Sequence, residues 1–180
     1  MKYVRIPKDR IGVLIGQNGE TKEKIEEKSG VELDIDSKEG DVSIDTHQTE
    51  DPLMSLKAKN IVKAIGRGFS PRKALKLLSD DMDLFIFDLQ DYVGKKKNHL
   101  RRVKGRVIGK KGKTKRILEE LTGSDISIYG HTVSVISDIA SMDITKKALD
   151  MLLSGSKHAT VYNFVETEMK EFRIRQRSGF

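Results

Sequence analysis

The 180-residue chain carries 34 Lys/Arg against 27 Asp/Glu, a formal net charge of +7, and 37% hydrophobic residues with no Cys. These values exclude a disulfide scaffold, a thiolate metal site and a cysteine nucleophile, and they argue against a chain dominated by disorder; the length suits one sizeable domain or two small ones. The start at Met1-Lys2-Tyr3-Val4 leads straight into strand-like sequence, and no apolar run reaches about 18 residues, so a cytoplasmic protein without a membrane span is expected.

Residues 3–6 alternate apolar and charged side chains, as a half-buried strand does, and Pro7 stops them. The stretch Lys8–Ile15 carries Ile11, Leu14 and Ile15 at helical spacing and breaks at Gly16. Gly19 lets a second helix begin almost at once, over residues 20–28, closed at Ser29-Gly30 where a left-handed residue ends helices. "VELDI" (31–35) and "DVSID" (41–45) alternate around a turn at 37–40 and predict an antiparallel pair. Pro52 opens a longer helix to about Gly68, with Leu53, Leu56, Ile61 and Ile65 on its apolar face. Ser70 is a good N-cap and Pro71 suits a first turn, so residues 70–82 are expected to form a connecting helix, not a flexible linker, and to hold its neighbours at a fixed angle. The same order then returns: "LFIFDL" (84–89) as a strand, 101–108 as a helix through Val103, Val107 and Ile108, "DISIY" and "TVSVI" as strands around Gly130, and Ile139–Leu153 as the closing helix. In this second copy the first strand ends about ten residues further from its glycines, which places an insertion near 91–100. Last, "HATVYNFVETEMKEFRIRQR" puts Val161, Phe164, Val165, Met169 and Phe172 on one helical face, expected to be docked, ahead of a basic tail of Arg173, Arg175 and Arg177.

Sliding the chain by 93 residues lays Ile15–Ile35 on Ile108–Ile128 without gaps, with nine of twenty-one positions identical. The identities include Gly16/Gly109, Gly19/Gly112, Thr21/Thr114, Lys22/Lys115 and Glu26/Glu119. The chain is therefore a tandem of two βααββα modules. The charge is unevenly distributed along the chain. Residues 1–93 carry 15 Lys/Arg and 18 Asp/Glu (−3), whereas 94–180 carry 19 and 9 (+10). From Gly94 to Arg116 lie twelve cations and no acid: Lys95, Lys96, Lys97, Arg101, Arg102, Lys104, Arg106, Lys110, Lys111, Lys113, Lys115 and Arg116. Like charges at that density repel one another, which favours a polyanionic partner over a merely solvated surface.

Two glycines three apart between helices allow a reversal that side chains resist, and leave bare backbone for a ligand. The helix that starts there presents N–H groups and the positive end of its dipole to an anion, for which a phosphate is the natural guest. The tripeptide Gly112-Lys113-Thr114 invites comparison with an ATP-binding P-loop. That motif needs a further glycine five positions earlier, where Val107 stands, and a strand before the loop, where a helix is expected. No catalytic constellation is evident. His47, His99, His131 and His158 share no ligand spacing, and the acids Asp80, Asp81, Asp83, Asp88 and Asp91 straddle a helix end and a strand, which favours solvated acids or a protein-docking face over a metal site. No catalytic residue, metal or cofactor is expected.

"VIGKKGKTKRILEELTGSDISI" resembles the core of a KH domain of the eukaryotic, type I arrangement, and "LIGQNGETKEKIEEKSGVELDI" is similar to a second. The resemblance implies an α+β fold of two tandem type I KH modules, each a three-stranded antiparallel sheet packed on helices, plus a C-terminal helix. The boundaries are 1–69 for the first module, 70–82 for the connecting helix, 83–155 for the second module, and 156–180 for the C-terminal helix and tail. KH modules clamp about four single-stranded nucleotides on the GxxG loop. By resemblance those loops are Gly16-Gln17-Asn18-Gly19 and Gly109-Lys110-Lys111-Gly112, with Lys22, Arg102, Arg106, Lys113, Lys115 and Arg116 as further RNA-binding residues.

From end to end, "GRGF", "SPRKAL", "YVGKKKNHLRRVKGRVIGKKGKTKR" and "HATVYNF" resemble the archaeal members of a KH-type ribosome-biogenesis family whose eukaryotic relatives are called partner of Nob one. That resemblance implies binding to precursor small-subunit rRNA near its 3′ end, cooperation with the endonuclease that trims it, and a link to the alpha subunit of translation initiation factor two. The eukaryotic first module usually has a degraded loop; this one keeps both glycines, so an RNA-silent first module is not implied. Two other readings stand beside this one: a general mRNA-binding or RNA-decay accessory factor using the same loops, and a protein-interaction scaffold.

Overall fold

Alternation at the start of the chain produces β1 (Lys2–Arg5), and Pro7, with its fixed φ, turns directly into α1 (Lys8–Ile15). In the computed structural model, which describes residues 1–47, 49 and 51–179, these are followed by α2 (Glu20–Ser29), β2 (Glu32–Ile35), β3 (Asp41–Asp45) and α3 (Pro52–Gly66). The sheet order is β1-β3-β2, antiparallel throughout, with Val4 opposite Val42 and Leu33 opposite Ile44. Those four side chains are buried, as are Leu14, Ile25, Ile61 and Ile65 from the helices. Ile6, read as the end of β1, lies beyond it but still donates its N–H to Gly40 O at 2.9 Å.

Helix α3 begins as its sequence requires: the Asp51 carboxylate accepts from Leu53 N at 2.8 Å and Pro52 fills the first turn. Its buried face corrects the expectation. Leu53 and Leu56 are exposed, while Ala58, Ile61, Val62 and Ile65 are buried. At 100° per residue, Leu53 and Leu56 fall about opposite Ala58, so the apolar stripe runs without them. The helix also stops at Gly66, two residues short of the expected end.

The connecting segment is shorter than 70–82. Ser70 Oγ accepts from Lys73 N at 3.4 Å to open α4 (Pro71–Ala74), and a 3₁₀ turn over Leu75–Leu78 ends it. Ala74 and Leu77 are buried, and the Lys57 ammonium from α3 meets both Leu78 O (2.7 Å) and the Asp80 carboxylate. The segment thus belongs to the first of two compact units, Met1–Leu84 and Phe85–Phe180.

β4 (Met82–Asp88) starts two residues earlier than its apolar run, and Leu89 N beyond its end donates to His131 O at 2.8 Å. The insertion is α5 (Gln90–Val93), a break at Gly94, and the first turn of α6 (Lys97–Ile108), so most of the basic tract is helical. Tyr92 OH donates to Asp150 Oδ1 at 2.7 Å. Burial, then the hydrogen bond and charge of Asp150, then the charge of Asp91, push this phenol up to about 12. α7 (Lys113–Thr122), β5 (Asp125–Tyr129), β6 (Thr132–Asp138) and α8 (Ile139–Leu153) complete the module, with sheet order β4-β6-β5. The topology of the first module is therefore repeated.

α9 (His158–Arg177) packs on α7 and α8. Val161, Val165 and Met169 are buried, with Phe164 and Phe172 half-buried against the same core. Arg173, Arg175 and Arg177, expected as a tail, lie within the last turns of this helix, and Arg173 Nη2 donates to Leu121 O at 3.4 Å. No helix among the described residues is long and apolar enough to cross a membrane.

Candidate nucleic-acid interface

The two glycine loops have the same backbone. Gly16 and Gly109 lie at φ/ψ of 76/175° and 73/175°, a region open essentially to glycine alone. Asn18 and Lys111 are left-handed at 53/26° and 52/33°, and Gly19 and Gly112 follow at 83/3° and 75/13°. The turn is closed by Gly19 N to Gly16 O (3.3 Å) and Gly112 N to Gly109 O (3.2 Å). Space adds a second reason for the first glycine of each loop. A Cβ on Gly16 would sit 2.7 Å from Thr21 N, and one on Gly109 2.6 Å from Thr114 N, with the threonine hydroxyl nearer still. A Cβ on Gly112 would meet nothing within 4 Å.

Other repeated residues hold the loop in place. Glu26 Oε1 accepts from Leu33 N at 2.8 Å, and Glu119 Oε1 from Ile126 N at 2.9 Å, so each second helix is tied to the following strand. Lys22 and Lys115, named as RNA-binding residues, lie one turn back, 3.7 and 3.4 Å from those same carboxylates. Arg106 is likewise engaged in the fold. Its Nε donates to Leu152 O at 3.0 Å and its Nη2 to Ser156 O, bracing α6 against the end of α8. Arg10 does the same in the first unit, to Ile65 O and Phe69 O, both at 2.8 Å.

The remaining candidates gather at the second loop. Lys110, Lys111, Lys113 and Arg116 are exposed, as is Arg102 on α6, and none of the five makes an ion pair among the described residues. No side chain caps α2 or α7, so N–H groups at each start remain for a ligand. The positions of Lys113 and Arg116 are held in the first module by Glu20 and Glu23. Acids in the first turn of α2 already complement its dipole and repel an anion, whereas the first turn of α7 adds cations to the same N–H groups. With one backbone geometry, the two loops differ in their charged surroundings: cations follow Gly109–Gly112, and Glu20, paired with Lys24 at 3.2 Å, and Glu23 follow Gly16–Gly19. Gln17 and Asn18 are exposed and neutral.

Two side chains beside the second loop escaped the reading of the sequence. His158 Nε2 donates to Arg106 O at 2.9 Å, and Tyr162 OH donates to Thr114 Oγ1 at 3.1 Å. Their spacing of four, on the rim of the Val161/Val165 face, was the available signal. The acids between 80 and 91 are dispersed: Asp80 pairs with Lys57, Asp81 accepts from Ser79, and Asp88 accepts from Gln90 N at 2.9 Å and lies 3.0 Å from His131 Nδ1. Among the described residues no group of three or more His, Asp or Glu is placed to hold a metal ion.

Comparison with known proteins gives two family matches. Residues 83–170 match the eukaryotic-type KH domain (KH-domain type I), in its second-domain PNO1 form, and residues 2–67 match the KH domain. The chain is 47% identical over 174 residues to the KH domain-containing protein MJ0443 of Methanocaldococcus jannaschii, covering 96% of this chain and 76% of that one. It is 28% identical over 169 residues to the RNA-binding protein pno1 of Dictyostelium discoideum, covering 93% and 71%. Among solved structures, aDim2p in the a/eIF2alpha-aDim2p-rRNA complex from Pyrococcus horikoshii OT3 is 46% identical and superposes with a TM-score of 0.87, covering 94% of each chain.

Proposed function

The chain belongs to the Dim2/PNO1 family of RNA-binding KH-domain proteins, and from that premise we propose that it binds single-stranded small-subunit rRNA near its 3′ end, in the biogenesis of that subunit, chiefly through Gly109–Gly112. One observation carries the reading. Two loops of the same backbone differ in that Lys110, Lys111, Lys113 and Arg116 surround the second, where Gln17, Asn18, Glu20 and Glu23 surround the first. A phosphate on the second loop gains backbone N–H donors, the dipole of α7 and four exposed cations together.

The bases then splay into the groove beside the loop, which a duplex cannot do because its base edges are hidden and its phosphates rigidly spaced. The chain acts by holding a strand, without turnover of its own. The complex named for the Pyrococcus relative supports the alpha subunit of initiation factor two as a partner of this chain while rRNA is bound, and the endonuclease that trims the 3′ end is the proposed second partner.

Competition tests the proposal. The 3′ segment of small-subunit rRNA should displace a labelled probe better than a scrambled strand of equal length, and both better than the segment annealed to its complement. Preference for the duplex would reject the KH mode of binding; equal binding of the scrambled strand would retain that mode and reject the rRNA assignment.

A further inference from the structure

A cavity of about 480 Å³ opens on the flank of the second loop that faces α9. Its position follows from the phase of α6. Val103 and Val107 point into the core; Lys104, whose Nζ donates to Gly130 O at 2.9 Å, and Ile108 lie to one side of them, toward the β5–β6 turn. At 100° per residue, Arg102 and Arg106 lie on the other side. The cavity is lined there by Arg102, Lys110 and Lys113, with no acid on its walls, and Gly105 leaves its floor bare.

The opposite wall is aromatic and fixed. His158 is held by Arg106 O and Tyr162 by Thr114 Oγ1, and their ring centroids are 6.3 Å apart. Because a carbonyl oxygen only accepts, Nε2 of His158 carries the proton, and this hydrogen bond fixes the ring. Three cations around a concavity select a phosphate, and immobilised rings beside it offer a surface on which a base stacks regardless of its identity. The first module has neither part. The residues in register with Arg102, Lys110 and Lys113 are Asp9, Gln17 and Glu20, and α9 packs on α7 and α8.

We infer that this cavity is an additional nucleotide subsite, which takes the phosphate and base of one ribonucleotide adjoining those clamped by Gly109–Gly112 on the same RNA strand. The inference rests on the RNA-binding reading of that loop. It makes α9 part of the binding surface and not only a buttress.

The test is a length series of single-stranded RNA, from four to eight nucleotides, titrated against the full chain and against Gly105→Leu. A Cβ at residue 105 meets no neighbour within 4 Å, and leucine favours helix over glycine, so this variant fills the cavity without loosening α6; a thermal melt no lower than that of the unmodified chain verifies it. Stacking of one base is worth roughly five- to a hundred-fold in affinity. The unmodified chain should gain at least about fivefold over the variant on strands longer than four, and the two should bind the tetramer alike. The His158 imidazole resonances should move with a hexamer and not with a tetramer. Equal affinities of the two proteins at every length would overturn the subsite while leaving the loop reading intact. Failure of Gly112→Asp to weaken the tetramer would instead overturn the loop reading. Displacement of the hexamer's added contact by adenosine monophosphate or inorganic phosphate at equal concentration would overturn the assignment to the strand, in favour of a free nucleotide or phosphate site.

Discussion

Gly109 and Gly112 bound one loop and answer to different constraints. The first has a backbone conformation open essentially to glycine and no room for a Cβ against Thr114; the second is left-handed but faces open space. Gly109→Ala should therefore lower stability by about 2–3 kcal/mol or more, through strain and overlap together. Gly112→Ala should cost about 1–2 kcal/mol, and its larger effect should be on RNA affinity, because the added methyl stands where a phosphate would approach. Chemical denaturation beside RNA titration separates the two; equal stability losses would contradict this division. Tyr92 makes a pH-dependent prediction. Its phenol, raised from 10.0 to about 12, keeps a proton longer in the folded chain than in the unfolded one. The stability contributed by its hydrogen bond to Asp150 is thus fully present below about pH 10 and lost as pH rises toward 12. Ultraviolet titration should show one late tyrosine step that Tyr92→Phe removes.

At the scale of elements, the contrast lies between the first turns of α2 and α7. Both follow the same loop, and both are tied to the next strand through Glu26 or Glu119. What differs is the charge at two positions, Glu20 and Glu23 against Lys113 and Arg116. Reversing the second pair, as Lys113→Glu with Arg116→Glu, should abolish most RNA affinity without lowering the melting temperature, since neither side chain is paired among the described residues. Reversing the first, as Glu20→Lys with Glu23→Arg, should raise affinity by giving the first turn of α2 the two cations of α7. No gain from the second double variant would mean that the first loop is disfavoured by something other than these carboxylates.

For the whole molecule, the duplication has yielded two copies of one topology with unequal charge: −1 over Met1–Leu84, with 15 Lys/Arg and 16 Asp/Glu, and +8 over Phe85–Phe180, with 19 and 11. Each copy has its own buried core, so the exposed surfaces have been free to diverge while the interior pattern was kept. For single strands, log K falls with log salt by about 0.7 per phosphate neutralised. The Lys113/Arg116 reversal should consequently flatten the salt dependence of the full chain by up to about 1.4, whereas Gln17→Asp with Asn18→Asp should leave it nearly unchanged. Equal flattening by both would place the polyanion across both modules.

The tandem βααββα order, the two glycine loops and the division of charge were legible in the sequence. Strand alternation, helix starts and stops, and left-handed glycines are set by neighbours along the chain, and charge is counted without knowing where anything points. Tertiary structure decided what each of these side chains meets within the fold. Arg106 and Lys115 in the basic tract, and Lys22 beside the first loop, look alike as cations in sequence, but Arg106 donates to carbonyls at and beyond the end of α8, whereas Lys22 and Lys115 lie beside Glu26 and Glu119. Leu53 and Leu56 look like core, but the face that α3 turns to the sheet excludes them. His158 and Tyr162 reach the second loop across 52 and 48 residues of chain, because α9 folds back along α7 and α8. Periodicity tells which residues share a helical face; only the packing of one element on another tells what that face meets.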